Sequence, residues 1–344
     1  VASARTALIL LLTGVLAAPL ATTSPAAAAG DPVVVAAIVR ADDGGYEVRR
    51  TRAATREQGH SLAARLRAGR DVVDAEVEGV VTASSVPPAD PLQPQQWGLP
   101  AVRAPQAWAL GDAAGQVVAV IDSGVDVDHP DLAPALEPGW DFVHGDAVAD
   151  DESGHGTHVA GIVGAVAGNG LGGAGSALRV RVMPIKVLDA DGSGSTSDVA
   201  AGVRWAVDRG ATVINLSLGG PQTSTSLTNA IDDALARGVA VVAAAGNDGS
   251  SAAHYPAAQK GVVAVGAIDK NDIKASWSNT GGHLAVVAPG VGIVSTLRGS
   301  RYGSMGGTSM ATPFVAGALA HLRAVAPAAT TAELRQALMA TAVD

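Results

Sequence analysis

The chain has 344 residues, 48% of them hydrophobic and 16% charged, with a formal net charge of −9; that is enough for one large core, or for a core with a small appendage. The acidic balance and the lack of a basic patch argue against nucleic acid as a partner. With no cysteine in the chain, disulfides, thiolate metal sites and a cysteine nucleophile are excluded together.

Residues 1–29 read as a secretory signal: Arg5 supplies a positive start, residues 7–18 form an apolar run, and small residues surround 26–29. The run is shorter than the roughly 20 residues of a membrane span. The protein is therefore expected to be extracellular, with no membrane attachment after signal removal. Residues 30–90 form a small, polar, arginine-bearing unit with a strand predicted at 33–39, a helix around 62–66 and a second strand near 77–81. The stretch Ser84-Ser85-Val86-Pro87-Pro88-Ala89-Asp90-Pro91 reads as an exposed linker.

Residues 91–344 form a Gly- and Ala-rich block. Continuous apolar runs at 117–121, 180–188, 213–218, 239–245 and 262–267 suit strands buried on both faces. Helical patterns fall at 155–166, 197–207, 227–236, 308–325 and 331–340. The alternation predicts an α/β fold, a doubly wound parallel sheet flanked by helices, preceded by a small α+β unit. Ligands of such sheets sit at the carboxyl ends of the strands.

Three segments carry the chemistry. Asp122, in Val120-Ile121-Asp122-Ser123-Gly124, ends a buried strand, where a lone carboxylate needs a partner. His155, in Gly154-His155-Gly156-Thr157-His158, opens a helix between two glycines that let another chain approach its ring. Ser309, in Gly306-Gly307-Thr308-Ser309-Met310-Ala311-Thr312-Pro313, opens a long apolar helix, with Pro313 expected near the helix start. A serine hydroxyl is a poor nucleophile at neutral pH unless a base takes its proton. A histidine titrates in the right range, and a carboxylate can hold its ring in one tautomer. There is no P-loop, no GxSxG elbow and no HExxH motif that would make His158 a metal ligand.

These segments, in the order Asp, His, Ser, resemble those of the subtilisin-like serine proteases, or subtilases. The resemblance runs from about Gln95 to the C-terminus and includes stretches with no catalytic residue: Gln96-Trp97-Gly98-Leu99, Asn215-Leu216-Ser217-Leu218-Gly219-Gly220 and Ala288-Pro289-Gly290. It implies a subtilisin-like fold and an endopeptidase that forms an acyl-enzyme on Ser309, with His155 as base and Asp122 as its orienter. Asn247, in Ala245-Gly246-Asn247-Asp248, is implied as an oxyanion donor beside the Ser309 N–H.

The resemblance also implies that an extended protein or peptide substrate pairs with Gly192, Ser193 and Gly194 on one side and Ser217, Leu218 and Gly219 on the other, giving broad specificity with an apolar preference. Matching Tyr255-Pro256 to the family places His254 near the floor of the primary specificity pocket, which would favour medium side chains. Residues 30–90 are implied as an inhibitory propeptide, removed by self-cleavage in the linker, and the mature enzyme as a monomer. No cofactor is needed for the chemistry. A structural calcium ion is common in the family, but the 167–173 loop holds no carboxylate, so its site stays unassigned. The competing reading is a catalytically inactive or cell-surface relative that only binds peptides.

Overall fold

The computed structural model describes residues 32–41, 45–78 and 89–343. The expected signal at 1–29 and the 84–88 part of the expected linker lie outside the described residues. Those residues fall into two compact units, 32–78 and 89–343.

The first unit is a three-stranded antiparallel sheet with one helix. The strands β1 (Val33–Arg40), β2 (Tyr46–Ala53) and β3 (Val72–Val77) lie in the order β2-β1-β3, and α1 (Arg56–Arg67) precedes β3. Alternate residues of β1, Val35, Ala37 and Val39, meet Ala63 of α1 and Ala75 of β3 in a five-residue core. Thr55 starts the helix by accepting the Gln58 N–H at 3.2 Å. β2 was not foreseen because seven of its eight residues are exposed and no apolar alternation marks it. β3 ends at Val77, and residues 79–81 of the strand expected near 77–81 lie outside the described residues.

The second unit begins with two short helices, α2 (Gly98–Ala101) and α3 (Ala104–Trp108), before β4 (Val117–Asp122) and β5 (Trp140–Asp141). Then come α4 (His155–Gly164), β6 (Arg181–Lys186), α5 (Thr196–Asp208), β7 (Val213–Leu216), α6 (Thr225–Ala236), β8 (Ala240–Ala244), β9 (Val263–Ile268) and β10 (Leu284–Pro289). A hairpin, β11 (Ile293–Leu297) and β12 (Arg301–Met305), leads into α7 (Thr308–Val325), and α8 (Thr331–Ala340) follows. Seven parallel strands form one sheet, in the order β10-β9-β8-β7-β4-β6-β5.

The sheet is covered on both faces, because strand side chains alternate. Val118 and Val120 of β4 join the core formed with Val159 of α4 and Phe314 and Leu319 of α7. Ala119 and Ile121 point the other way, to Val203 of α5 and Ile231 of α6. β4 lies between β6 and β7, so the chain leaves it in both directions and a crevice opens at its carboxyl end. Asp122 is the last residue of that strand. Among the described residues no helix is long and apolar enough to cross a membrane.

Two local expectations need refinement. Pro313, expected near the helix start, is the sixth residue of α7, just beyond the first turn where proline costs no hydrogen bond. Asp90, read as part of an exposed linker, is buried, and it accepts the Gly168 and Gly170 N–H groups at 2.7 and 2.8 Å.

Candidate active site

Asp122 and His155 meet where β4 ends and α4 begins. His155 donates its Nδ1–H to Asp122 Oδ1 at 2.7 Å, which leaves Nε2 free as a base. The same carboxylate oxygen accepts the Ser123 N–H at 2.7 Å. Gly156 makes the approach feasible: a Cβ there would lie 2.0 Å from the Gly124 carbonyl oxygen. Asp122 is fully buried, whereas the His155 side chain keeps 30% of its surface exposed. Burial pulls the His155 pKa down, but the charge and hydrogen bond of Asp122 and the charge of Asp151 outweigh it, so the net shift is upward.

Ser309 lies in the first turn of α7. Its hydroxyl donates to the Ser217 carbonyl at 3.0 Å, so in this state its proton is not directed at His155. Ser217 answers in kind, its own hydroxyl donating to the Ser309 carbonyl at 2.8 Å. Pro313 explains why that carbonyl is available. Four residues on, it has no N–H to complete the helical bond, and Ser217 takes the vacant place.

Asn247 follows β8 and turns its Oδ1 to α7, accepting the Thr308 N–H at 2.9 Å and the Thr308 hydroxyl at 3.0 Å. With the oxygen so held, the amide NH₂ is the end turned to donate. It borders Gly307, 3.6 Å from where a Cβ would stand.

The two expected substrate segments both leave carboxyl ends of the sheet. Gly192, Ser193 and Gly194 form an exposed turn after β6, tied by the Asp189 N–H to the Ser193 carbonyl at 2.8 Å. Gly192 has φ +75°, a value that favours glycine. Ser217, Leu218 and Gly219 follow β7 directly. The His254 ring lies against this second segment. A Cβ at Gly219 would be 2.6 Å from its Nε2, and one at Gly246 would be 2.9 Å from its Nδ1. The imidazole therefore fills the space between Gly219 and the residue before Asn247. Burial lowers its pKa, with His283 reinforcing and Asp248 opposing.

His158, one turn after His155, has a different task. It is fully buried, and its Nε2–H donates to the Ile293 and Gly303 carbonyls at 2.9 and 3.3 Å. Burial pushes its pKa down to about 4, so it is neutral near pH 7 and holds α4 to the hairpin leading into α7.

A second polar cluster surrounds the loop after α4. Asp131 is fully buried, accepts Asn169 Nδ2 at 2.8 Å on Oδ1, and has no partner for Oδ2. Its pKa is raised, chiefly by burial. Asp90 sits on the same loop. Sequence reasoning looked for carboxylates within 167–173 and missed these two, which arrive from distant segments. The orphaned Asp131 oxygen suits a hard cation that takes oxygen ligands; the other side-chain oxygens at the loop are those of Asp90, which also accept backbone N–H groups, and that of Asn169, which accepts the Leu171 N–H. Among the described residues no three His, Cys, Asp or Glu side chains converge as a metal cluster, so carbonyl oxygens would have to complete such a site.

Comparison with known proteins agrees with this geometry. Residues 113–344 match the Subtilase family, Peptidase S8. The chain is 46% identical to thermitase of Thermoactinomyces vulgaris over 231 residues, covering 67% of this chain and 83% of that protein. It is 45% identical to subtilisin BL of Lederbergia lenta over 249 residues, covering 72% and 91%. Among solved structures, a cold-adapted subtilisin-like serine proteinase superposes with TM-score 0.61 at 37% identity, covering 65% of this chain and 81% of that one. Proteases from Pseudoalteromonas arctica give TM-score 0.68 at 35% identity, covering 73% and 91%.

Proposed function

The chain belongs to the subtilase family of serine peptidases, and on that premise we propose that it is a secreted endopeptidase of broad, apolar-leaning specificity, made as a self-processed zymogen. The observation that carries the catalytic reading is the 2.7 Å Asp122–His155 hydrogen bond at the crevice end of β4. In the reaction the Ser309 hydroxyl turns from the Ser217 carbonyl to His155 Nε2 and attacks the peptide carbonyl as its proton passes to the ring. Asp122 keeps the Nδ1–H in place and stabilises the imidazolium. The oxyanion receives the Asn247 NH₂ and the Ser309 backbone N–H. His155 then gives its proton to the departing amine, leaving an ester on Ser309. A water molecule repeats the sequence and releases the acid. Casein hydrolysis by the purified protein, abolished by phenylmethylsulfonyl fluoride, tests this; no hydrolysis would favour the peptide-binding alternative.

Residues 30–90 are proposed as the propeptide, on the support that residues 32–78 form a compact unit with a core of their own. The burial of Asp90 and the Leu92 N–H donating to the Gly172 carbonyl at 2.6 Å support a cut ahead of Asp90, so that the proposed propeptide would end slightly short of residue 90. Ser309→Ala expressed alone should accumulate uncut. Normal processing of that variant in a protease-free host would refute self-cleavage.

His254 is proposed to shorten the primary pocket, on the support of its ring lying between Gly219 and Gly246. Leu and Met before the scissile bond should then be preferred to Phe. His254→Gly should reverse that order on a peptide anilide panel, and an unchanged order would remove His254 from specificity.

A structural calcium ion is proposed at Asp90, Asp131 and Asn169 with loop carbonyls, supplying stability rather than chemistry. EDTA should lower the Tm of wild type more than that of Asp131→Asn. Equal effects on both would exclude the site.

A further inference from the structure

The loop before α4 contains a carboxylate that the proposed catalytic steps do not use. Asp151 is fully buried, yet it faces five hydrogen-bond donors. Its Oδ1 accepts the Ser123 hydroxyl at 2.9 Å, the Ser153 N–H at 3.0 Å and the Gly154 N–H at 2.8 Å. Its Oδ2 accepts the Thr157 N–H at 2.9 Å and the Thr157 hydroxyl at 2.5 Å. Only an acceptor-only side chain with two oxygens can satisfy that set.

The partners are not scattered. Gly154 and Thr157 bracket His155, the first residue of α4. Ser123 follows Asp122, and its N–H donates to the Asp122 oxygen that holds His155. The Ser123 hydroxyl also accepts the Gly156 N–H at 2.9 Å. The bonds close a ring, from Asp122 Oδ1 through Ser123 to Gly156 and back through His155, with Asp151 anchoring both sides. The helix has no cap of its own, since Gly154 occupies the N-cap position; the cap comes from three residues upstream.

We propose that Asp151 is a positioning residue of the catalytic machinery, fixing the Asp122–His155 geometry through Ser123 and the first turn of α4 and lending His155 a second negative charge. The charge argument has the structure's support, since Asp151 acts with Asp122 to raise the His155 pKa against burial. The other charged groups near this end of α4 are tied elsewhere. Lys186 Nζ donates to the Ser123 and Leu188 carbonyls at 3.0 and 2.8 Å and pairs with Glu152 at 3.3 Å. Arg298 donates to the Glu152 carbonyl, and His158 is neutral near pH 7.

The inference rests on His155 being the base, so the experiment keeps the two apart. His155→Ala and Ser309→Ala should abolish casein hydrolysis; if either retains it, the catalytic reading fails before Asp151 is at issue. Given that, kcat/KM is measured from pH 5 to 9 for wild type, Asp151→Asn and Ser123→Ala, with folding checked by circular dichroism. Asp151→Asn should lower kcat at least tenfold with little change in KM, and move the acid limb toward lower pH by about half a unit, because a negative charge near His155 is lost. Ser123→Ala keeps both carboxylates. It should lower kcat several-fold and leave the acid limb in place. A merely structural cap would reduce stability without moving the limb, so a folded Asp151→Asn with the wild-type limb overturns the proposal. If Asp151→Asn does not fold, Ser123→Ala decides: wild-type kcat in that variant overturns it.

Discussion

The helices α4 and α7 each start at a glycine that offers no capping side chain, and each is capped from outside: α4 by the Asp151 carboxylate of the loop just before it, α7 by the Asn247 amide oxygen from the end of β8. The first turn of any helix carries unpaired N–H groups and a partial positive charge. At α4 that end bears His155, the side chain proposed to become positive during catalysis, and the cap is an anion. At α7 it borders the proposed oxyanion site, and the cap is neutral, with its oxygen turned inward and its NH₂ left outward. An anionic cap at α7 would oppose the oxyanion that the helix end favours. The two caps thus match the sign of the charge each helix must tolerate.

The comparison can be broken most severely at the nucleophile. Ser309→Ala should lower kcat by about 10⁶-fold, the scale measured for triads of this family, while near-ultraviolet circular dichroism stays that of wild type. Asn247 comes next. Asn247→Ala should cost about 10²–10³-fold in kcat, again a magnitude known from this family, with KM nearly unchanged. Asn247→Asp should be worse than alanine, because it makes the α7 cap anionic. Equal losses in the two variants would show that the sign of the cap is irrelevant. Thr308→Val should cost only about tenfold, since it removes the hydroxyl bond to Asn247 and leaves the backbone bond.

His158 sharpens the comparison from the side of stability, because it ties α4 to the hairpin that enters α7. Its pKa of about 4 in the folded protein lies below the ordinary 6.5, so the unfolded chain binds the proton more readily. Its contribution is complete above pH 6.5 and is lost as the pH falls toward 4, about 3 kcal/mol in all. His158→Asn should be less stable than wild type at pH 7 and should lose less stability between pH 6.5 and 4, read by urea unfolding. Parallel losses would contradict the assignment.

How much of this was legible in the sequence follows from range. The strands β4, β7, β8 and β9 announce themselves as apolar runs because both faces of the sheet are covered. β2 gives no such sign, having seven exposed residues in eight. Asp122, His155, Ser309 and Asn247 stand in short motifs whose neighbours are themselves informative. Asp90 does not, because its partners lie in a loop 78 to 80 residues away; Asp151 bonds residues only two to six positions on, but its fifth bond, to the Ser123 hydroxyl that ties it to Asp122, crosses 28 residues that no local pattern reports. Pro313 lies near the start of α7 as expected but past its first turn, where the Ser217 hydroxyl makes it tolerable by taking the Ser309 carbonyl.

One residue of α7 has a consequence for engineering. His321 is fully enclosed, lining a small cavity with Val102, Ala104, Ala107, Phe314 and Ala318, and burial lowers its pKa against the opposing Asp112 charge and Ala107 carbonyl. The Ser176 side chain borders the same cavity. Burying a polar ring among apolar side chains is less favourable than burying a hydrocarbon of similar size, so this position of the helix has room for gain. Leucine has nearly the volume of the imidazole and nothing to desolvate. His321→Leu is therefore a route to a hardier enzyme that leaves the crevice at the end of β4 untouched: its Tm should rise by several degrees with kcat/KM unchanged.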